Sequence, residues 1–126
     1  MRILLDSHAV LWWLEDNNSL GSQCRDLIEH ADEAFVSAVT PWELGIKRSL
    51  GKLSMPEGLS DVLESDGFKP LSITAAHAEL APSLPPFHRD PFDRMLVAQA
   101  QLEALVLVTA DKALASYEIE QFDARS

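Results

Sequence analysis

The amino-acid sequence predicts an α/β domain built around a parallel β-sheet. Short runs of β-branched and large aliphatic residues alternate with segments of helical periodicity, which is the pattern of stacked β-α-β units. The chain has 126 residues, of which 47% are hydrophobic, enough to form one core of ordinary size. We therefore expect residues 1–126 to form a single domain with no internal linker, repeat or low-complexity tract.

The predicted strands are short and apolar. They are RILL at 2–5, AFVS at 34–37, PLSI at 70–73, LVLVT at 105–109 and EQF at 120–122. Helical patterns fill most of the sequence between them. The predicted helices span residues 8–15, 22–31, 41–50, 57–65, 75–84, 91–103 and 111–117.

One helix has clear start and stop signals in the sequence. Thr40 is followed by Pro41 and, at the third position, by Glu43. This spacing predicts a capping box with proline at the first helical position. Gly51 lies where the same helix should end, since glycine favours the left-handed conformation beyond a helix C-terminus.

The net charge restricts the kinds of partner that the protein can bind, and the cysteine content indicates its cellular compartment. Twenty acidic residues against ten basic ones give a formal net charge of −10. The overall charge would therefore repel nucleic acid, and binding of RNA or DNA would require bound cations or a local cluster of basic residues. Cys24 has no second cysteine to pair with, and Asp6 and His8 interrupt the apolar N-terminal run. These features favour a cytoplasmic protein without a signal peptide or a membrane span.

Acidic residues from distant parts of the sequence should meet at one edge of the sheet. Asp6 follows the first strand, Glu43 opens the helix after the second, and Asp111 follows the fourth. The carboxyl ends of parallel strands share one edge, where ligands usually bind. Asp93 should join them, because its helix runs antiparallel to the next strand and the extended segment 82–91 carries the chain back to that edge.

Converging carboxylates would repel one another unless a cation neutralised them. Oxygen ligands favour Mg²⁺ or Mn²⁺, which would leave room for phosphate oxygens and for a water made more nucleophilic by the metal. This arrangement suits hydrolysis of a phosphodiester bond. Helix capping is the alternative role for each acid, and Asp90, before Pro91, also occupies a capping position.

Four longer motifs follow one another along the chain. They are LLDSHAVLWW, SAVTPWELGIKRSLGKL, LPPFHRDPFDRMLVAQA and LVTADKALASY. In these motifs and in their order the sequence resembles the PIN-domain ribonuclease toxins, in particular the VapC-like branch of toxin–antitoxin systems, and the resemblance covers residues 2–117. It implies a three-layer sandwich with a parallel sheet of order 3-2-1-4-5, Mg²⁺-dependent endoribonuclease activity and inhibition by a cognate antitoxin.

Residue roles can also be transferred from the resemblance. The family's four catalytic and metal-binding acids correspond to Asp6, Glu43, Asp93 and Asp111. Thr109 matches the family's threonine before the last acid, where its hydroxyl would hold a carboxylate or a water in place. Asp90 belongs to the branch's pattern but not to the four acids, so its role stays open between a cap and an outer ligand.

Five cations are candidates for contact with RNA phosphates, and Arg94 and Lys47 are the foremost. The five are Lys47, Arg48, Lys52, Arg89 and Arg94. Arg94 adjoins Asp93, and Lys47 lies one helical turn after Glu43 on the same face. A Glu–Lys pair at this spacing is also a common surface stabiliser. His88 lies in a proline-rich segment and is expected to be solvated, with proton transfer as the alternative.

The apolar stretch AVLWWL at 9–14 exceeds what one core-facing stripe of a helix hides. Trp12 and Trp13 are therefore candidate partner-binding residues, for an antitoxin or for a second copy of the chain in a homodimer, unless the helix near 57–65 covers them. Two rival functions remain: a phospho-acceptor receiver domain and a non-catalytic α/β binding module. A receiver should have paired acids after its first strand, whereas here Asp6 stands alone.

Overall fold

A computed structural model describes all residues from Met1 to Ser126. Its centre is a five-stranded sheet of order β3-β2-β1-β4-β5 in which every neighbouring pair is parallel. The strands are β1 Arg2–Leu5, β2 Glu33–Ser37, β3 Lys69–Leu71, β4 Val106–Thr109 and β5 Gln121–Asp123. The sheet order that the sequence resemblance implied is confirmed. It also argues against the receiver alternative, whose doubly wound sheet has the order 2-1-3-4-5.

Helices pack on both faces of the sheet. They are α1 Ser7–Leu14, α2 Ser22–His30, α3 Val39–Ser49, α4 Leu59–Ser65, α5 Ala75–Leu80 and α6 Pro91–Glu103. Short 3-10 turns occur at Ala81–Ser83 and Lys112–Leu114. None of the helices combines the length and the hydropathy that crossing a bilayer requires.

The central strands feed two separate cores because successive side chains of a strand point to opposite faces. Ile3 and Leu5 belong to the core that α1, α2 and α4 cover. Leu4, between them, belongs to the core under α6. All three side chains are fully buried, which accounts for the uninterrupted apolar sequence of this strand.

The predicted start of α3 is wrong. The helix begins at Val39 with Ala38 as its N-cap, and no side chain caps it. The backbone N–H of Val39 is instead bound by the Ser37 hydroxyl at 3.1 Å, so Thr40 is not needed as a cap. Glu43 consequently lies inside the helix and is free for another role. The predicted stop is correct, since Gly51 has a φ of +71° just beyond the helix.

The other boundaries differ from the predictions by a few residues, except near the C-terminus. Only Lys112–Leu114 of the predicted helix 111–117 is helical, and it is a single 3-10 turn. Strand β3 is Lys69–Leu71 and does not extend to Ile73.

The side chain of Arg94 holds the segment between α5 and α6 in place. Both terminal nitrogens of Arg94 donate hydrogen bonds, one of them to the Tyr117 hydroxyl at 3.3 Å. The other acceptors are the backbone carbonyl oxygens of Ala81, Pro82, Leu84, Pro85 and His88. These bonds fix the course of the chain just before α6, and so they fix what the segment presents to the edge of the sheet.

Candidate active site

The site lies at the carboxyl ends of β1 and β4, the adjacent strands between which the strand order reverses, which is the switch point of the sheet. Asp6 directly follows β1 and Asp111 follows β4 by two residues. The backbone N–H of Asp6 donates to the carbonyl oxygen of Val108 at 3.0 Å, which joins the two strand ends. This is the position at which open parallel sheets bind ligands.

Both carboxylate oxygens of Asp6 accept hydrogen bonds from neighbouring groups. It is only 4% exposed, and it accepts hydrogen bonds from the Thr109 hydroxyl at 2.6 Å and from the Ala9 backbone N–H at 2.8 Å. The Thr109 oxygen in turn accepts the backbone N–H of Asp111 at 3.0 Å. Burial raises the pKa of Asp6 above its ordinary value, although these hydrogen bonds oppose the shift.

Glu43 reaches the same edge from the first half of α3. Its Oε1 accepts a hydrogen bond from the Ser7 hydroxyl at 2.7 Å, and its Oε2 accepts one from Lys47 Nζ at 2.9 Å. The side chain is buried, with Ser7 directly after Asp6 in the sequence. Sequence reasoning missed Ser7, although its position beside the first acid was a usable signal.

Asp90 and Asp93 divide the roles that the sequence left open for them. Asp90 is the N-cap of α6, and its Oδ1 accepts the backbone N–H of Phe92 at 2.8 Å. Asp93 is not a cap and faces the other acids. Its pKa is raised to about 7, first by burial and then by the negative charges of Asp90, Glu43 and Asp6, with His88 opposing the shift.

His88 lies between two of the predicted acids, contrary to the expectation that it is solvated. Its Nε2 is 2.9 Å from Asp111 Oδ2 and 3.3 Å from Asp93 Oδ2. Its backbone N–H donates to the Tyr117 hydroxyl at 3.1 Å. The position of this ring depends on the course of the segment that Arg94 holds, so sequence spacing could not reveal it.

The donor set fits a divalent cation. One oxygen each of Asp93 and Asp111 lies with a His88 nitrogen inside a cluster whose atoms are all within 4.8 Å of one another. Asp6 and Glu43 are close enough to raise the pKa of Asp93. Carboxylates grouped in this way repel one another, and the pKa near neutrality of Asp93 reflects its burial as well as that repulsion. A hard divalent cation would stabilise their charged forms.

The two foremost cations predicted to bind phosphate are already engaged. Arg94 spends both terminal nitrogens on carbonyl oxygens and on Tyr117, so we correct that prediction: Arg94 positions the chain before α6. Lys47 pairs with Glu43, which is the alternative that the sequence left open for it. Arg89 and Lys112 are exposed, follow His88 and Asp111 directly in the sequence, and make no ion pair.

The two tryptophans of α1 have different environments. Trp13 packs edge-on against Phe68 with ring centroids 5.6 Å apart, and its Nε1 donates to Asp66 at 3.1 Å. The chain following α4 thus covers part of Trp13, and its role as a partner anchor stays a prediction. Trp12 carries the guanidinium of Arg125 over its ring at 4.8 Å.

Trp12 nevertheless lies close to the acids. It lines a surface pocket of about 270 Å³ together with Asp6 and Asp111. The most exposed large apolar side chains are elsewhere, on α3 and at its C-cap. Trp42 is 62% exposed and the C-cap Leu50 is 63% exposed, with Ile46 between them at helical spacing.

The fold and the site define a parallel α/β domain with an acidic cleft at the switch point of its sheet. The PIN domain family model matches residues 3–120, and the chain belongs to that family. Ribonuclease VapC22 of Mycobacterium tuberculosis is 34% identical over an alignment of 122 residues, and the alignment covers 91% of each chain. The resemblance inferred from the sequence motifs is thereby confirmed.

Solved structures show the same fold at low sequence identity. FitAcB from Neisseria gonorrhoeae has a TM-score of 0.68 at 16% identity, with 97% of each chain covered. VapBC2 from Rickettsia felis, bound to a DNA fragment from its promoter, has a TM-score of 0.71 at 13% identity over 97% of this chain and 98% of the other. A toxin–antitoxin complex from Klebsiella pneumoniae has a TM-score of 0.69 at 17% identity, with 97% of each chain covered.

Proposed function

We propose that this protein is a Mg²⁺-dependent endoribonuclease and the toxin of a toxin–antitoxin pair. The observation that carries the proposal is the convergence of acidic side chains at the switch point of a PIN domain. Those acids are Asp6, Glu43, Asp93 and Asp111. A relative named as a ribonuclease, similar over nearly the whole chain, supports the same activity.

These acids would hold Mg²⁺, with Mn²⁺ as a substitute. When bound, such an ion polarises a phosphoryl oxygen and promotes attack by water on the phosphorus. The protein contributes the geometry. Thr109 fixes Asp6, Ser7 fixes Glu43, and the 3-10 turn fixes Asp111 through the backbone N–H of Ala113 at 2.9 Å. Acids held in this way need little reorganisation when an ion or a phosphate enters.

RNA would approach across the rim of the cleft. We propose that Arg89 and Lys112 contact its phosphates, because each adjoins a side chain of the site and each is exposed. They replace Arg94, whose guanidinium is already committed. A single-stranded substrate suits this surface, since splayed bases and a flexible backbone can follow an irregular cleft.

An antitoxin would cover the acidic cleft and the pocket beside it. Trp12, Asp6 and Asp111 line that pocket, so a basic side chain reaching into it would meet carboxylates, and it would displace Arg125 if it stacked on the Trp12 ring. We also propose a homodimer that buries the α3 face formed by Trp42, Ile46 and Leu50, because exposed apolar residues at helical spacing favour an isologous contact. A cytoplasmic location follows from this function.

The deciding experiment is cleavage of a single-stranded RNA by the purified protein. Activity should appear with Mg²⁺ or Mn²⁺, disappear with EDTA and return when excess Mg²⁺ is added. Asp6→Asn serves as the inactive control, since it removes one charge and keeps the shape of the side chain. RNA cleavage that persists after thorough chelation would overturn the proposal.

The partner proposals have their own test. Co-expression with the product of the adjacent small reading frame should yield a complex in which cleavage is suppressed, and Trp12→Ala should weaken it. Trp42→Ala should instead shift the free chain toward monomer in sedimentation. A chain that binds no such product and is harmless when expressed alone would leave only a free-standing nuclease.

A further inference from the structure

We propose that His88 is a positioning residue of the active site that acts as an Nε2–H donor to Asp111 and does not bind the metal. The inference rests on the proposed function, because it concerns the same acidic cleft. His88 contacts two of the four acids but is not itself one of them.

The hydrogen bonds around His88 select one tautomer. The backbone N–H of Asp90 donates to Nδ1 of His88 at 3.0 Å, so Nδ1 must present its lone pair. A neutral imidazole has only one such nitrogen, and the other carries the proton. The proton therefore lies on Nε2, the nitrogen that faces the acids.

A protonated Nε2 can donate but cannot coordinate. It lies 2.9 Å from Asp111 Oδ2, a normal hydrogen-bond distance, and 3.3 Å from Asp93 Oδ2. Although the three side chains are spaced as metal ligands could be, the imidazole offers no lone pair to an ion there. The centre that remains consists of oxygen ligands alone, which suits Mg²⁺ and disfavours Zn²⁺.

The donated hydrogen bond has a clear structural effect on Asp111. This acid is the least enclosed of the four, with 38% of its side chain exposed. Its Oδ1 accepts the backbone N–H of Ala113, and its Oδ2 faces His88. Because each carboxylate oxygen accepts one hydrogen bond, the orientation of the Asp111 carboxylate is fixed. Hydrogen-bond partners outside the ligand set orient metal-binding side chains in this way in general.

His77 provides a matched comparison within the same chain. Its Nδ1 also accepts a backbone N–H, that of Thr74 at 3.0 Å, and this bond selects the same tautomer. His77 caps α5 and belongs to no acidic cluster. It should therefore show the same proton position as His88 without any response to metal.

Nitrogen-15 NMR of the imidazoles tests the tautomer directly. At pH 8 in the metal-free wild-type protein, both His88 and His77 should show a protonated Nε2 and an unprotonated Nδ1. Added Mg²⁺ should perturb the His88 signals and leave its Nε2 protonated, with His77 unchanged. A protonated Nδ1 in the metal-free protein, or loss of the Nε2 proton on binding Mg²⁺, would overturn the proposal.

The variant His88→Asn tests the role in metal binding. An asparagine oxygen can still accept the Asp90 N–H, but the donor to Asp111 is lost. Mn²⁺ affinity measured by calorimetry should fall by about tenfold, at the low end of what outer partners contribute, whereas His30→Asn, far out on α2, should have no effect. Wild-type affinity in His88→Asn would contradict the proposal.

These measurements do not depend on RNA cleavage. An inactive wild-type protein would overturn the proposed function while the proton position and the Mn²⁺ affinity could still be read. If His88→Asn does not fold, the wild-type spectra alone decide between a donor and a ligand.

Discussion

The two sides of the acidic cleft are built differently. On one side Asp6 and Glu43 are buried, and hydroxyl groups of Thr109 and Ser7 hold them. On the other side Asp93 and Asp111 are partly exposed, and His88 lies between them. The first side belongs to the sheet and its first helices, whereas the second depends on an irregular segment that ends at α6.

This difference explains what sequence reasoning could and could not find. Strand ends and the direction of α6 predicted acids on both sides of the cleft, including Asp93 and Asp111. The position of His88 could not be predicted in this way, because it depends on the hydrogen bonds that Arg94 donates to the segment before α6. Contacts from one side chain to several backbone carbonyl oxygens leave no periodic pattern in the sequence. His88 was consequently read as solvated and Arg94 as a phosphate ligand.

The fold was more predictable than the site for a related physical reason. Strands with both faces buried give continuous apolar runs, and β1 and β4 were found within one residue of their bounds. The start of α3 was missed because proline and Glu43 imitate a capping box. The real N-terminus relies on Ser37, which lies within the preceding strand.

The largest expected effect is on activity, at the centre of the cleft where the two sides meet. Asp93→Asn should reduce RNA cleavage by on the order of a hundredfold or more, since it removes a charged ligand from the reacting centre. The metal-free protein should melt at the same temperature or higher at pH 7.5, because a carboxylate that is repelled by its neighbours is gone. Cleavage kinetics and thermal melts with EDTA check both parts.

A pure helix-terminus role for Asp93 makes the opposite forecast. Loss of a negative charge from the first turn of α6 would then lower the melting temperature and leave cleavage intact. Asp90→Ala is the matched control, because Asp90 does cap that helix and its removal should cost about 1 kcal/mol of stability.

The acids should also make stability depend on pH. Burial raises the folded-state pKa of Asp6 and brings that of Asp93 to about 7, so the folded protein holds more protons than the unfolded chain above pH ~4. The free energy of unfolding should therefore fall as the pH rises from about 4 to about 7. Melting temperatures measured with EDTA across this range test the slope.

Mg²⁺ should weaken or reverse that slope, because an ion bound to the acids favours their charged form. Asp93→Asn should flatten it in the metal-free protein. Asp32 and Glu33 act in the opposite direction at the acidic end of this range, because surface partners lower their pKa values. A metal-free protein that gains stability between pH 4 and pH 7 would show that the acids are not crowded as described.

A smaller effect is expected where the irregular segment is held. Arg94→Ala removes several hydrogen bonds from a charged donor, each worth about 1.5 to 3 kcal/mol before relaxation, so we expect a loss of about 3 kcal/mol. Hydrogen exchange should rise in residues 81–90 while β1 and β4 stay protected. The control is Arg89→Ala, at a proposed phosphate contact, which should leave stability unchanged and raise KM for RNA. A normal melting temperature for Arg94→Ala would contradict its structural role and would favour the original prediction that Arg94 binds RNA phosphate.

The smallest change is expected on the buried side. Thr109→Val keeps the shape of the side chain but removes the hydroxyl that donates to Asp6 and accepts the N–H of Asp111. Because buried polar groups then lack partners, stability should fall by about 1 to 3 kcal/mol. Thr109→Ser, which keeps the hydroxyl, should recover most of it in denaturant unfolding. Equal stability of the two variants would mean that packing of the threonine methyl, and not its hydrogen bonds, joins β4 to Asp6.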